Sequence, residues 1–511
     1  MQANMQAVSI DEDHAERILS ELEDYQISHG SLLKIPRNLV DFESPVALAR
    51  PIGISIVPTI FPQPQFEQAQ YMQRLFNELY IGVAEDDVWL KTIVQPLARV
   101  DEFVAKLWSI WERVRDEGEI QELRCGIFRS DYMLHCDESN TPGREFTSDD
   151  DLRKGLVDSE LKQVEFNTYS CAGGTHATTV ANMHRYLAQK GIHGATNLPT
   201  NNALRSITEL LAKAHEMYVP TDRARQTAIL MTVQPNNVNI CDERPIEYAL
   251  SECYPPIILY RVEFSDEVMQ NCSLGPNREL LFQPPSRTQP FEISVVYQRA
   301  GYDPQEYDEQ GVEARLMLER SRAIKCPTIL CHIAGLKKVQ QELTRPEILE
   351  RFLSPESATI LCQTFMPLYP IDGSENGKKA LQIASDQETA ENHVLKPSLE
   401  GGGHNIFGQD IPNFLETIPP KEKSKYILME MIHPPKTHGA LVSPMMIFQG
   451  PVISELGILG TCLWRRDELC EGKAEIIRSC RGGWTFKTKP HDVEEMSVVK
   501  GYGCFDCPSL F

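Results

Sequence analysis

Positive charge is scarce in this chain. Fifty lysines and arginines face 72 aspartates and glutamates over 511 residues, a formal net charge of -22. That balance argues against nucleic acid and anionic membrane as partners, since both demand a basic surface. It also means that a site for an anion must gather its own cations against an acidic background. Long apolar runs are missing. The stretch "PIGISIVPTIF" (51–61) is too short to span a bilayer and is broken by proline. The start is acidic and then amphipathic, without the pattern of a secretory leader, so the cytosol is the expected compartment. The 14 cysteines follow no framework spacing, which suits reduced thiols. A single C-x-x-C joins Cys504 and Cys507. Residues three apart on a strand point to opposite faces, so neither a zinc site nor a redox pair is expected there. The familiar phosphate-loop and dinucleotide-loop spacings are absent, as are internal repeats.

What is present reads as an ordinary globular protein, with 41% apolar and 24% charged residues. The length suits two or three domains or one composite body. The first hundred or so residues look mainly helical. Ala15, Ile18, Leu19, Leu22 and Tyr25 form one helical stripe, and Val100, Phe103, Val104, Leu107, Ile110, Trp111 and Val114 another, with Trp111 expected in the core. From Leu123 the pattern changes to strands, "LRCGIFRSDYML" and "LKQVEFNTYS", then a helix ending at Gly191. "TAILMTV", "PIILYRVEF" and "ISVVYQR" read as strands, with a helix starting near Pro245, which suggests a βαβ unit. "SLGPNRELLFQPPSRTQPFE" reads as a surface connection, and "IDGSENGKKALQIASDQETAEN" as a polar, lid-like stretch. The C-terminal part reads as further strands, "KYILMEMI", "FQGPVISELGILGTCLW" and "GWTFKTKP". The expected divisions are 1–122, 123–222, 223–325 and 326–511, in a mixed α/β or α+β fold.

Three stretches carry chemistry. "VLKPSLEGGGHNIFG" places Lys396, Glu400, three glycines and Asn405 in sequence. Bare backbone N–H groups, a cation and an acidic ligand suit a phosphate and a metal, while a surface loop is the alternative. In "QVEFNTYS", a strand puts Gln163, Glu165 and Asn167 on one face, with Val164 and Phe166 toward the core. Such hard oxygen donors suit magnesium; a solvated face is the alternative. In "GWTFKTK", Lys487 and Lys489 share a face opposite Trp484 and Phe486, so the two cations repel unless an anion lies between them. "QRAGY" sets Arg299 and Tyr302 around a glycine after a strand, a usual place for binding residues. Lys337 in "AGLKKVQQEL" offers one more cation or a helix-surface lysine.

The blocks "FRSDYM", "VEFNT", "QRAGY", "ARLMLERS", "AGLKKVQQEL", "LKPSLEGGGHNIFG", "YILME" and "SELGILG" occur in this order. Together they resemble eukaryotic-type glutathione synthetase, an ATP-grasp ligase, from about Leu123 to the C-terminus. The resemblance implies an ATP-grasp architecture with a helical N-terminal part, an inserted βαβ substrate-binding domain and a glycine-rich lid hairpin. It implies that Lys337 and Lys396 contact ATP phosphates under Gly401, Gly402 and Gly403, and that Asn405 and Phe407 lie along the nucleotide. Met429, Glu430, Met431 and Ile432 would flank the adenine, and Glu455, Lys489 and Glu495 would complete the ATP contacts. Glu165, Asn167 and Glu400 would hold magnesium, Glu165 also touching ATP. The peptide-substrate positions would be Arg129, Tyr169, Ser170, Cys171, Ala172, Asn237, Val238, Asn239, Glu243, Arg299, Ala300, Gly301, Tyr302 and Lys487. Val498 and Val499 would lie in a mobile C-terminal substrate loop. The implied partners are ATP, γ-glutamylcysteine, glycine and a second copy of the chain in a homodimer.

The implied reaction needs positioning and charge neutralisation rather than a protein nucleophile or an obligatory side-chain base. Arg129 and Arg299 would be the cations that offset the acidic background for an anionic dipeptide. Three departures from the family pattern lie on the substrate side. Lys487 stands where an arginine is usual, which removes a bidentate fork. "TYSCAGGTHATT" lacks the phenylalanine that usually precedes the glycine pair and keeps Ser170, with the place of the second serine unsettled. "EEMSVVKG" (494–501) has bulkier residues where glycine and alanine are usual. A working ligase, with glycine or another amino acid as acceptor, and an ATP-binding partner subunit are the two readings this leaves.

Overall fold

The computed structural model describes residues 12–36, 46–136, 146, 148–399, 403–444, 446–467 and 473–511. The glycine-run residues Glu400, Gly401 and Gly402 lie outside the described residues. Among the described residues, no helix is long and apolar enough to cross a membrane.

A seven-stranded sheet carries most of the site. Its order is Thr437–Ser443, Ile54–Ser55, Cys504–Phe505, Ala474–Pro490, Met446–Arg466, Leu123–His135 and Glu160–Asn167, with Thr437–Ser443 also pairing with Met446–Arg466. The helices Gln63–Glu85 and Glu102–Glu117 share one hydrophobic core with this sheet. The second begins at Asp101, whose carboxylate accepts the Val104 N–H, and ends at Gly118 with φ 81°. Phe103, Val104, Leu107, Ile110, Trp111 and Val114 are all buried along it, so Trp111 is a core residue as expected. The helix Gln63–Glu85 is pinned to the sheet by a buried cluster. The Arg124 guanidinium donates to Glu85 at 2.8 Å, and the Trp464 indole N–H donates to the same carboxylate at 2.7 Å.

The expected βαβ unit is present. Leu259–Glu263, Thr227–Val233, Phe291–Gln298 and Ile324–Cys326 run parallel in a six-stranded sheet. The intervening helix is Ile240–Ser251, with Pro245 inside it rather than at its start. Proline normally marks a first turn, but here the turn before it is stabilised through Asp242, whose partners lie elsewhere in the chain. The surface connection contains two short strands, Cys272–Leu274 and Leu280–Phe282, added to that sheet's edge. The polar stretch after residue 371 also folds, as the helices Glu375–Ala384 and Gln387–Ala390. Ala380, Ala384 and Ala390 bury against the four-stranded sheet, a small-residue stripe too weakly apolar to stand out in the sequence. That sheet orders Leu368–Pro370, Tyr426–Glu430, His393–Pro397 and Ile406–Phe407.

One strand differs from its expected alternation. Asp131 pairs with Glu165, but Tyr132 pairs with Gln163, so the strand bulges at Val164. Paired residues share a face, and an extra residue flips the alternation on one side of a bulge. Gln163 therefore leaves the Glu165–Asn167 face and donates to Ser130 Oγ at 2.8 Å in the interior. Glu165 and Asn167 stay together.

Candidate active-site cleft

A single cleft of about 770 Å³ is walled by all three of these sheets. The seven-stranded sheet contributes Arg129, Glu165, Asn167, Glu455, Lys487 and Lys489. The four-stranded sheet contributes Lys396, Phe407, Met429 and Glu430. Loops around the parallel sheet contribute Asn237, Val238, Asn239, Arg299 and Tyr302, and the helix Ile240–Ser251 contributes Glu243. Tyr169, Ser170, Cys171, Ala172, Lys337, Asn405, Met431, Ile432, Glu495, Val498 and Val499 complete the expected set along its walls. Among the described residues, three expected ones do not line it: Ala300, Gly301 and Gly403.

At one end, cations gather around a carboxylate. Lys337 begins the short helix Lys337–Glu342 and is buried, not on a helix surface; its Nζ lies 2.9 Å from Glu165. Lys396 Nζ donates to the Val164 carbonyl at 2.8 Å, so the bulge supplies its anchor. Burial opposes ionisation of Glu165, but Lys337 and Lys396 outweigh it and hold the carboxyl below its usual range. Burial pulls Lys396 down to about 8 despite Glu165, and does the same to Lys489, also to about 8, despite Glu455, Glu495 and Glu494. Lys489 is held by the carbonyls of Val493 and Glu494. Lys487 pairs with Glu455, so the anion expected between the two strand lysines is partly supplied by the protein. An ammonium that burial has brought close to losing its proton gains most when an anion arrives.

Beside these cations lies an apolar slot. Met366, Val394 and Met429 are buried together, with Leu368, Phe407 and Ile432 packed against them. Glu430 is oriented by the Tyr369 hydroxyl at 2.7 Å. Apolar walls with a few fixed polar groups suit a flat heteroaromatic ring.

The other end is built differently. Arg129 forms a two-pronged pair with Asp131, at 2.7 and 2.8 Å, and donates to the Ala172 carbonyl at 3.0 Å. Arg299 pairs with Asp242 at 2.9 Å. Asp242 also accepts the N–H groups of Gly173 and Thr175, at the start of the helix Gly174–Gln189. Glu243 is gripped by Asn237 at 2.8 Å to both oxygens and by Arg261 at 2.7 Å. The expectation that Arg129 and Arg299 offset the acidic background is therefore corrected: each cation is already matched by a local carboxylate, which fixes its direction rather than leaving net charge. Ser170, at φ 49°, donates to the Arg299 carbonyl. Tyr302 OH donates to Gln234 at 2.9 Å. Ala300 and Gly301 face inward, their carbonyls held by the hydroxyls of Tyr169 and Tyr307, and both tyrosines accept from the buried Arg315. They shape the turn that presents Arg299 and Tyr302.

Gly403, at φ 75°, lies against the C-terminal loop; a Cβ there would stand 2.9 Å from Lys500 Nζ. Asn167 donates through Nδ2 to Asp131 and Glu165, both at 3.1 Å, which turns its Oδ1 away from them. Among the described residues, no group of three or more His, Cys, Asp or Glu is placed to hold a metal ion. A hard cation here would draw on the oxygens of Glu165 and Asn167 together with those of a bound phosphate. Sequence reasoning missed Asp131, Asp242 and His176. The alternation Arg129-x-Asp131 on one strand face was a usable signal for the first; the partners of the other two are distant in sequence.

A profile described as eukaryotic glutathione synthase, ATP binding domain, matches residues 12–510. The chain is similar to the glutathione synthetase large chain of Schizosaccharomyces pombe, with 31% identity over 508 residues that cover 94% of each chain. It is similar to the glutathione synthetase of Homo sapiens, 32% identical over 516 residues and 99% of both. That of Xenopus laevis is 33% identical over 462 residues, 89% of both. Among solved structures, it resembles a glutathione synthetase-like effector from Globodera pallida in its apo form, with a TM-score of 0.72 and 21% identity across the full length of both chains. That likeness bears on the fold.

Proposed function

The chain belongs to the eukaryotic glutathione synthase family, and on that premise we propose that its cleft joins γ-glutamylcysteine to glycine at the expense of ATP. Its α+β body is of the ATP-grasp kind expected for that family. The observation that carries the reading is one cleft with two unlike ends. Depressed lysines and an apolar slot stand at one, and pre-paired arginines at the other.

The adenine ring lies in the slot of Met429, Phe407 and Ile432, and its phosphates reach Lys337, Lys396 and Lys489. The dipeptide lies toward Arg129, Arg299 and Tyr302. Its cysteine carboxylate oxygen attacks the γ-phosphorus, and the bond to the β,γ-bridging oxygen breaks to release ADP. The glycine nitrogen then attacks the acyl carbon, the C–O bond to phosphate breaks, and the nitrogen loses its proton. The lysines carry the phosphate charge through both steps, and the enclosing walls protect the acyl phosphate from water. Glu165 and Asn167 would hold magnesium, with Glu400 as a third ligand outside the described residues; Asn167 would have to turn its Oδ1 rather than its Nδ2 toward Glu165 to do so. Magnesium bound there supplies charge neutralisation for the phosphates. The enzyme is cytoplasmic and works as a homodimer. The expected divisions of the chain stand as part of this proposal.

The reading is tested with purified chain, ATP, magnesium and γ-glutamylcysteine, with and without glycine. Phosphate release that depends on the acceptor, with glutathione identified by mass, is the expected result. Absence of turnover with all substrates present would leave an ATP-binding partner subunit instead. A panel with β-alanine, serine and glutamate decides the acceptor. The observation that makes this panel worthwhile is that Lys487 is already tied to Glu455 while Val498 and Val499 wall the cleft.

A further inference from the structure

His176 is buried at the first turn of the helix Gly174–Gln189 and lines the cleft, yet belongs to no group already assigned. Its Nε2 lies 3.0 Å from Oδ1 of Asn239. An amide oxygen only accepts, so Nε2 carries the proton and donates. Burial lowers the pKa of His176, more than Asp242 raises it, which keeps the ring neutral and leaves a lone pair on Nδ1. The ring is fixed on two sides. Asn239 holds one edge, and the Phe505 ring lies 5.6 Å away, centroid to centroid. Phe505 also closes over Gly173, where a Cβ would stand 3.1 Å from it. The C-terminal strand thus supplies a ring beside a glycine pair that lacks its usual neighbouring phenylalanine.

The surroundings say what this lone pair is for. The nearby carboxylates are occupied: Asp242 by Arg299 and two helix N–H groups, Glu243 by Asn237 and Arg261. Arg129, Arg299 and Gln234 present donors to the same space. A bound peptide brings nitrogen donors of its own, which need an acceptor.

We propose that His176 is a specificity-determining residue of the peptide end, its Nδ1 accepting a hydrogen bond from an N–H of the peptide substrate. This rests on the reading of the cleft as a dipeptide ligase site. The donor is either the substrate's α-ammonium or its amide, and the two are separable by substrate: glutarylcysteine keeps the amide and lacks the amino group.

The test compares the unaltered chain with His176→Leu and His176→Asn, after circular dichroism has established that each is folded. Loss of one hydrogen bond to the substrate predicts a KM for γ-glutamylcysteine raised about tenfold in His176→Leu, with the KM for ATP unchanged. Asparagine keeps an acceptor at the δ position and restores the KM to within a few-fold. A defect seen with γ-glutamylcysteine alone assigns the ammonium; the same defect with glutarylcysteine assigns the amide. An unchanged dipeptide KM in His176→Leu, equal losses for ATP and dipeptide, or no restoration by asparagine overturns the proposal while the ligase reading stands. If the unaltered chain does not turn over, that reading fails separately. Calorimetric binding of γ-glutamylcysteine then decides His176: weaker binding in His176→Leu than in the unaltered chain supports it, and equal or undetectable binding in both overturns it.

Discussion

The two ends of the cleft handle charge in opposite ways. At the end proposed for the phosphates, Lys396 and Lys489 are held by backbone carbonyls, and burial leaves them close to losing their protons. At the end proposed for the peptide, Arg129 and Arg299 are matched to Asp131 and Asp242 before any ligand arrives. Lysine is a compact charge that changes its proton affinity readily; arginine keeps its charge and offers a rigid fork. Lys396 and Lys489 therefore stand where a ligand can add counter-charge, whereas Lys337 and Lys487, like the two arginines, already have a carboxylate partner. An acidic protein can bind two anions this way without a basic surface.

Removing one charge at the proposed phosphate end should have the largest effect on ligand binding. Lys396→Met is expected to weaken ATP binding by about 10- to 150-fold, the range for a hydrogen bond to a charged group, with turnover falling further. Equilibrium titration with a fluorescent ATP analogue measures it, and unaltered affinity would break the comparison. At the peptide end, Asp242→Asn leaves Arg299 buried beside a neutral amide. Breaking such a pair costs about 3–5 kcal/mol, so denaturant unfolding should show a loss of stability together with weaker dipeptide binding. Lys396→Met, by contrast, should leave stability unchanged or raised, because it removes a buried charge that no side chain fully offsets.

A smaller effect separates the ends by pH. Lys396 and Lys489 lie at about 8 in the folded chain, against about 10.4 for an unperturbed lysine. Between these values the unfolded chain holds protons that the folded chain has released. Stability from these groups therefore rises with pH across that window, while ATP affinity falls as the ammonium charges are lost. At the other end Arg129 and Arg299 keep their charge across this window, so a change in dipeptide affinity there should follow only the ligand's own ammonium and thiol. Calorimetry of ATP binding near pH 8.5 in buffers of different ionisation enthalpy should also register proton uptake.

The smallest expected effect is that of Lys487→Arg, at the acceptor side. Lys487→Arg should change the KM of the dipeptide or acceptor by at most a few-fold, because Glu455 already holds the charge. Changing Val498 and Val499 together to alanine should shift the glycine to β-alanine ratio of kcat/KM by about 10-fold or more, as apolar bulk in a pocket does. An unchanged ratio would show that this loop does not select the acceptor.

Much of the site was legible because its signals are local. The two-residue spacings of Glu165 with Asn167 and of Lys487 with Lys489 need only strand geometry, and both pairs stand together in the cleft. The Trp111 stripe needs only helical periodicity. Where a neighbouring strand intervenes, the same logic fails. Gln163 leaves its expected face because the pairing with Leu123–His135 slips by one residue at Val164, and no feature of "KQVEF" announces it. Helices built on alanines, as at Ala380 and Ala384, were hidden by their polar exteriors.

The sequence by itself determined the class of the protein and the order of its strands and helices in the parallel unit, and it singled out candidate residues with charge or backbone freedom for a phosphate. These follow from periodicity, composition and motif order, which act within one segment. The tertiary structure alone decided which charges are free to meet a ligand. Arg129 and Arg299 read as open cations until Asp131 and Asp242 are seen beside them, and Lys337 reads equally as a binding cation or a helix-surface lysine until it lies buried 2.9 Å from Glu165. Charge is a property of a residue, but its availability depends on burial and partners, which are set by segments far apart in the chain.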